Sequence, residues 1–94
     1  MKPLPPDVVA YQRTREFSES TIPNGLRSRH TTKRGVWGSI RVVEGALRYR
    51  ILAPHREEHV LSPDRPGVVE PEVPHEVEPL GEVRFYVEFL RRPE

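Results

Sequence analysis

The sequence predicts an all-β domain, and three features of the chain support that class. Short runs of alternating apolar and polar residues recur along it, separated by glycine- or proline-containing turns at intervals of about 8–12 residues. No window repeats apolar residues with the period of about 3.6 residues that marks a helix. The most strand-like run, Val83 to Leu90, is rich in valine and aromatic residues, which favour β-structure. Short strands joined by tight turns predict a small sandwich or barrel.

Length and composition limit the number of domains and the possible chemistry. The chain has 94 residues, so we predict a single domain over residues 1–94, with a proline-rich N-terminal segment at residues 1–7. It contains no cysteine, which excludes disulfides, thiolate catalysis and zinc–thiolate sites. The net charge is +1, from 15 basic and 14 acidic residues, so we expect no general attraction to nucleic acid.

The expected location is the cytoplasm. No apolar run approaches the roughly 20 residues of a membrane span, and the first residues lack the apolar core of a signal peptide. We therefore expect no membrane association. Proline is abundant, at 11 residues, and only Lys2 and Lys33 are lysines. This bias favours a thermophilic source, although a GC-rich genome would produce the same preference for arginine.

The first half of the chain predicts four strands. Alternation in the second of them places Leu26 and His30 on one face, and in the last it places Leu47, Tyr49 and Ile51 on one face. A Pro-Asn-Gly turn separates the first two strands, because asparagine and glycine accept a positive φ at little cost. The predicted strands are residues 8–13, 26–31, 36–44 and 46–52.

The second half predicts four more strands, and the last of these is the strongest. Its alternation places Phe85 and Val87 on one face and Glu88 on the other. Gly45 and Gly81 are each expected to form a tight turn that ends one strand and begins the next. The predicted strands are residues 58–61, 68–70, 72–78 and 83–90.

His75 is the first candidate for a metal ligand. It lies in the segment 71–77, PEVPHEV, where two prolines stiffen the backbone, and a histidine on a rigid β-element suits a metal. The alternative is a histidine at the edge of the core whose ring nitrogens bind backbone groups. His30, at the end of a predicted strand, is the second candidate. His55 and His59 lie in a charged loop and carry no signal of a site.

Glu88 is the third candidate ligand. Strict alternation directs it outward, where an ion pair with a surface arginine would explain it, whereas a β-bulge would turn it inward. A Ser-His-Asp catalytic set is not supported, because no Gly-x-Ser-x-Gly turn is present. We assign no catalytic residue, and whether the protein is an enzyme stays open.

Two stretches resemble a known family. SRHTTKRGVWGSIRVVEGALRYRIL, at residues 28–52, and GVVEPEVPHEVEPLGEVRFYVEF, at residues 67–89, resemble the small cupin-like family related to tellurite-resistance protein B. His30, Trp37-Gly38, Glu44-Gly45 and Pro74-His75-x-Val77 match its shared positions. In that family the module stands alone or precedes a methyltransferase domain. These 94 residues hold no methyltransferase domain, so we do not expect methyl transfer from them.

The wider resemblance to cupins implies a double-stranded β-helix, a jelly-roll barrel. This sequence departs from the cupin pattern in two places, and both concern the residues that bind the metal in cupins. Residues 71–75 approximate the second cupin motif without its glycine, and residues 42–45 keep only the end of the first. The usual ligand positions of that first motif hold Thr32, Arg34 and Gly38. We therefore do not expect a site of three histidines and one glutamate.

A sparser site of His30, His75, water and Glu88 remains open, and such ligands suit Zn²⁺, Fe²⁺ or Ni²⁺. We expect a small cupin-type binding module that holds a divalent metal or a small ligand, including an oxyanion, in a stress or tellurite-resistance setting. The alternative is a metal-dependent oxygenase or isomerase with His30 and His75 as ligands.

The sequence also predicts a homodimer. Strand faces carrying Trp37, Tyr86 and Leu90 are expected to expose more apolar surface than a solvated sheet does, and such a patch commonly marks an interface.

Overall fold

The computed structural model describes residues 1–94 and confirms an all-β domain. Its one helical element is a 3-10 turn at Asn24–Arg27. No helix is long and apolar enough to cross a membrane. The strands are β1 (Val9–Arg13), β2 (Phe17–Ser18), β3 (Trp37–Ile51), β4 (Glu57–Leu61), β5 (Gly67–Val69) and β6 (His75–Arg91).

Two long strands form the centre of the sheet. β3 and β6 pair antiparallel from Trp37 opposite Leu90 to Ile51 opposite His75. The other edge of β3 pairs first with β5 and then with β4, while the other edge of β6 pairs with β1 and β2. The main order is β1-β6-β3-β4, with all pairs antiparallel. β1 and β4 each pair on one side only, so these pairings do not close the sheet into the predicted barrel.

The expected turns at Gly45 and Gly81 are bends inside continuous strands. Both glycines have a positive φ, 84° and 77°, yet β3 and β6 continue through them. The register between the strands shifts from Val42 to Glu44 and again from Gly45 to Leu47. Such bulges absorb extra residues and bend the strand, and glycine supplies the left-handed conformation. The prediction of four separate strands here was therefore wrong.

The predicted strand at residues 26–31 does not form. The segment begins in the 3-10 turn, and Arg29 has a left-handed φ of 38°, which interrupts an extended run. His30 pairs only through a single β-bridge, to His75. This segment is therefore an irregular loop and not a strand.

The core lies on one face of the bent sheet and follows the predicted alternation. Leu47, Tyr49 and Ile51 on β3 and Val83 and Phe85 on β6 are all buried. The Tyr49 hydroxyl donates a hydrogen bond of 2.8 Å to the Val68 carbonyl, which satisfies its polar end inside the core. On the opposite face, alternating charges form ion pairs between Arg48 or Arg50 and Glu58, Glu76 or Glu78.

Candidate functional site

A cavity of about 230 Å³ lies between the core face of the sheet and residues 23–32. None of its fifteen lining residues is an aspartate, glutamate, lysine or arginine. His30 and His75 are the only lining residues with ring nitrogens. An almost entirely apolar wall is typical of a site that excludes water from a small ligand. The larger apolar side chains around the cavity are Phe17, Leu26, Ile40, Phe85, Val87 and Phe89.

The backbone holds the two histidines side by side. His30 donates its N–H to the His75 carbonyl at 2.7 Å, and His75 donates its own to the His30 carbonyl at 2.9 Å. The two ring centroids are 5.2 Å apart, and the rings meet edge to face. The structure therefore brings His30 and His75 together, as a site shared by the two rings requires.

Two residues with a left-handed backbone flank this bridge. Arg29, directly before His30, has φ 38°, and Glu72, whose N–H donates to the Thr32 carbonyl at 3.2 Å, has φ 63°. Neither is a glycine, so each conformation costs free energy that the surrounding contacts must offset. Backbone strain of this kind concentrates at functional sites, and here it occurs on both segments that carry the histidines.

The tautomer of His75 follows from its hydrogen bond. Its Nδ1 lies 3.2 Å from the Val73 carbonyl oxygen, which can only accept, so Nδ1 carries a hydrogen and donates it. Burial lowers the pKa of His75, the bond to Val73 raises it in part, and the charge of His30 lowers it further. The ring is therefore neutral at neutral pH, and its Nε2 holds a free lone pair.

Nε2 of His75 is unpaired and not completely enclosed. The only buried side-chain nitrogen or oxygen without a hydrogen-bond partner is Nδ1 of His30. Nε2 of His75 also makes no hydrogen bond within the chain, but unlike Nδ1 of His30 it is not fully buried. The His75 ring lines the cavity. His75 thus presents a fixed Lewis base to an apolar space.

His30 is the second histidine of the cavity wall. Burial lowers its pKa as well, so it too is neutral at neutral pH. A buried polar atom left unpaired, such as its Nδ1, costs about 1–3 kcal/mol, and such atoms deserve a functional explanation.

The structure does not bring Glu88 to the histidines. Glu88 pairs with Ser39 of β3 and Arg13 of β1, and its neighbours Val87 and Phe89 line the cavity instead. The bulge in this pairing lies in β1, between Ala10 and Gln12, so β6 keeps its alternation here. No group of three histidine, cysteine, aspartate or glutamate side chains lies close enough to hold a metal ion. The residues present do not fit a complete protein-built metal site.

Sequence reasoning missed part of the cavity wall. Phe17 lies between the first two predicted strands, but it forms part of the short strand β2 and packs against Phe85, with ring centroids 5.6 Å apart. Leu26 shared a predicted face with His30, and that signal did indicate its place beside the cavity. Nothing local in the sequence indicated Thr14 or Pro23.

The predicted apolar patch is partly covered. Trp37, Tyr86 and Leu90 are half-buried, and the Arg13 guanidinium lies 4.9 Å from the centre of the Tyr86 ring. The large apolar side chains that are exposed lie elsewhere, at Met1, Val9, Tyr11, Val43 and Val60. Formation of a homodimer stays a prediction.

Comparison with solved structures finds two close matches in fold. The crystal structure of TehB from Haemophilus influenzae superposes with a TM-score of 0.83 at 25% identity, covering 93% of this chain and 32% of TehB. The crystal structure of a protein from Escherichia coli (strain K12) gives a TM-score of 0.88 at 25% identity and covers 100% of both chains.

Comparison of sequences assigns the family. The chain is 28% identical over 80 residues to the probable S-adenosyl-L-methionine-dependent methyltransferase TehB of Haemophilus influenzae strain Rd. A second TehB, from strain 10810, is 26% identical over 80 residues. The matches cover 81% of this chain but only 28% of either TehB. The TehB-like domain matches residues 12–87, and this chain therefore belongs to the TehB-like domain family.

Proposed function

We propose that the chain is a cupin-type binding module that holds a small, mainly apolar ligand against His75. The observation that carries this proposal is the hydrogen bond from Nδ1 of His75 to the Val73 carbonyl. It leaves Nε2 as an acceptor beside a cavity with no charged lining residue. A ligand that fits has an apolar body and one hydrogen-bond donor.

The size of the cavity supports a ligand of about one ring. An engineered apolar cavity of about 150 Å³ is large enough to bind benzene. The cavity here, at about 230 Å³, accommodates a six-membered ring with one or two substituents. The bent sheet beside the cavity also supports the cupin-type, jelly-roll fold in this proposal. The relation to TehB favours a role in a stress or tellurite-resistance setting.

Two other ligands fit this cavity less well. An oxyanion meets no lysine or arginine in the wall and two neutral imidazoles, so it would require a protonated histidine. A metal meets two imidazoles and no third side-chain ligand. One observation does favour a metal, since a ring whose Nδ1–H is donated to a backbone carbonyl is the usual arrangement of a metal-bound histidine. Metal-dependent oxygenase or isomerase chemistry is the second candidate on that ground.

Phenol and toluene separate these alternatives. They share a ring and size, but phenol alone can donate to Nε2 of His75. We expect calorimetry at pH 7.5 to show phenol binding roughly three- to tenfold more tightly than toluene, which is the worth of one neutral hydrogen bond. In His75→Phe the preference should disappear while toluene still binds, which also shows that the variant is folded.

Equal affinities of phenol and toluene for the wild type would contradict the proposed contact. Titration of the chain with Zn²⁺, Fe²⁺ or Ni²⁺ alone tests the metal alternative. A metal that binds the folded chain raises its stability by about 2.7 kcal/mol at a hundredfold excess over its dissociation constant. Such a gain, lost in His75→Phe, with no binding of phenol, would favour the metal.

A further inference from the structure

The loop that carries His30 is strongly basic. Residues 20–43 contain no aspartate or glutamate. In the part of this stretch that precedes β3, residues 20–36, four exposed cations form no ion pair. Uncompensated charge of one sign at the border of an apolar cavity attracts an anion to its mouth. The four cations are Arg27, Arg29, Lys33 and Arg34.

A second cleft, of about 260 Å³, lies on the other side of His30. It shares His30, Thr32 and Phe89 with the apolar cavity, so the two spaces meet at these three residues. Lys33 is the only lysine, arginine, aspartate or glutamate in its lining. Glu72, whose backbone joins Thr32, forms no ion pair with any of the four loop cations. An apolar space and one bordered by Lys33 therefore adjoin at His30, Thr32 and Phe89.

From this juxtaposition we infer that the ligand is an amphipathic monocarboxylate. The inference rests on the proposed function for the apolar half of the ligand and adds an anionic group at the other end. The ring occupies the cavity, a hydroxyl donates to Nε2 of His75, and the carboxylate lies at the cleft beside Lys33. A carboxylate placed there remains partly hydrated, so it avoids the large cost of burying an unpaired charge. The three ammonium donors of Lys33 and the neighbouring guanidinium groups supply the attraction.

A matched pair of probes isolates the charge. 4-Hydroxyphenylacetate and 4-hydroxyphenylacetamide have nearly the same shape and the same phenolic hydroxyl, but only the first is an anion. We expect calorimetry at pH 7.5 and low salt to show the acid binding roughly three- to tenfold more tightly than the amide. The ratio should fall toward one in about 0.5 M salt, where the screening length is only a few ångströms.

Two lysine variants provide the control. Lys33→Gln should bring the acid close to the amide and leave the affinity for the amide unchanged. Lys2→Gln removes the same charge from an exposed lysine that is paired with Glu70 and lines neither space, and it should leave the ratio intact.

The outcomes distinguish this inference from the proposal beneath it. Equal affinities of acid and amide in the wild type, with phenol still bound more tightly than toluene, overturn the carboxylate inference alone. An equal loss in Lys2→Gln and Lys33→Gln overturns it too, since the effect would then be one of net charge. Failure of phenol itself to bind overturns the proposed function.

Discussion

Gly45→Ala is expected to destabilise the domain by about 3 kcal/mol or more, because two separate costs add there. Gly45 has a φ of 84°, in the left-handed region that costs other residues roughly 1–2 kcal/mol. A Cβ at this position would also lie 2.1 Å from the Glu82 carbonyl oxygen and 3.0 Å from the Cα of Val83. Both are backbone atoms of the facing strand, so the two central strands would have to separate, at a cost typical of overpacking.

Gly35→Ala is the control for the conformational cost. Gly35 has a similar φ of 77°, but nothing lies within 4 Å of the position that an alanine methyl group would occupy, so only the backbone cost applies. Urea unfolding should give a loss of about 1 kcal/mol for Gly35→Ala. Similar losses in the two alanine variants would show that β3 and β6 do not approach closely at Gly45.

The stability of the domain should fall as the pH is lowered from 6.5 toward 5. Burial lowers the pKa of His75 in the folded state below its ordinary value of 6.5. Above pH 6.5 the ring is neutral in both states, so stability is at its full value. Below pH 6.5 the unfolded chain takes up a proton that the folded chain does not, and stability declines until the folded pKa is reached.

The decline due to His75 is at most about 1.4 kcal/mol per pH unit. His30, whose pKa is also lowered by burial, adds a smaller effect because it lies nearer the surface. Urea unfolding between pH 7.5 and 5 measures the slope, and His75→Phe should flatten it. The carboxyl groups of Glu19 and Glu57, whose pKa values are lowered from 4.5 by hydrogen bonds, contribute only at more acid pH. Identical slopes in the wild type and His75→Phe would mean that His75 takes up a proton as readily in the folded chain as in the unfolded one, so that burial does not lower its pKa.

The sequence predicted well those features that depend on local alternation. The buried faces carrying Leu47, Tyr49 and Ile51, and Val83, Phe85 and Val87, follow directly from the two-residue repeat of a strand. The same repeat indicated that Glu88 points away from the core face, and it lines no part of the cavity.

Features set by distant parts of the chain were harder to predict. A glycine in a tight turn and a glycine in a β-bulge look alike in sequence, so Gly45 and Gly81 were expected to end strands that they only bend. The left-handed Arg29 gave no local signal and removed the predicted strand before His30. The cavity itself depends on contacts such as Phe17 with Phe85, between residues far apart in the chain.

The central claim is that Nε2 of His75 is an accessible lone pair that accepts a hydrogen bond from the ligand. Long-range ¹H–¹⁵N correlation spectra of the imidazole rings at pH 7.5 test it most directly. In the free protein we expect His75 to show a protonated Nδ1 and an unprotonated Nε2, and addition of phenol should shift the Nε2 resonance of His75 while toluene leaves it in place. A His75 protonated on Nε2, or an Nε2 resonance that does not move when phenol binds, would contradict the claim.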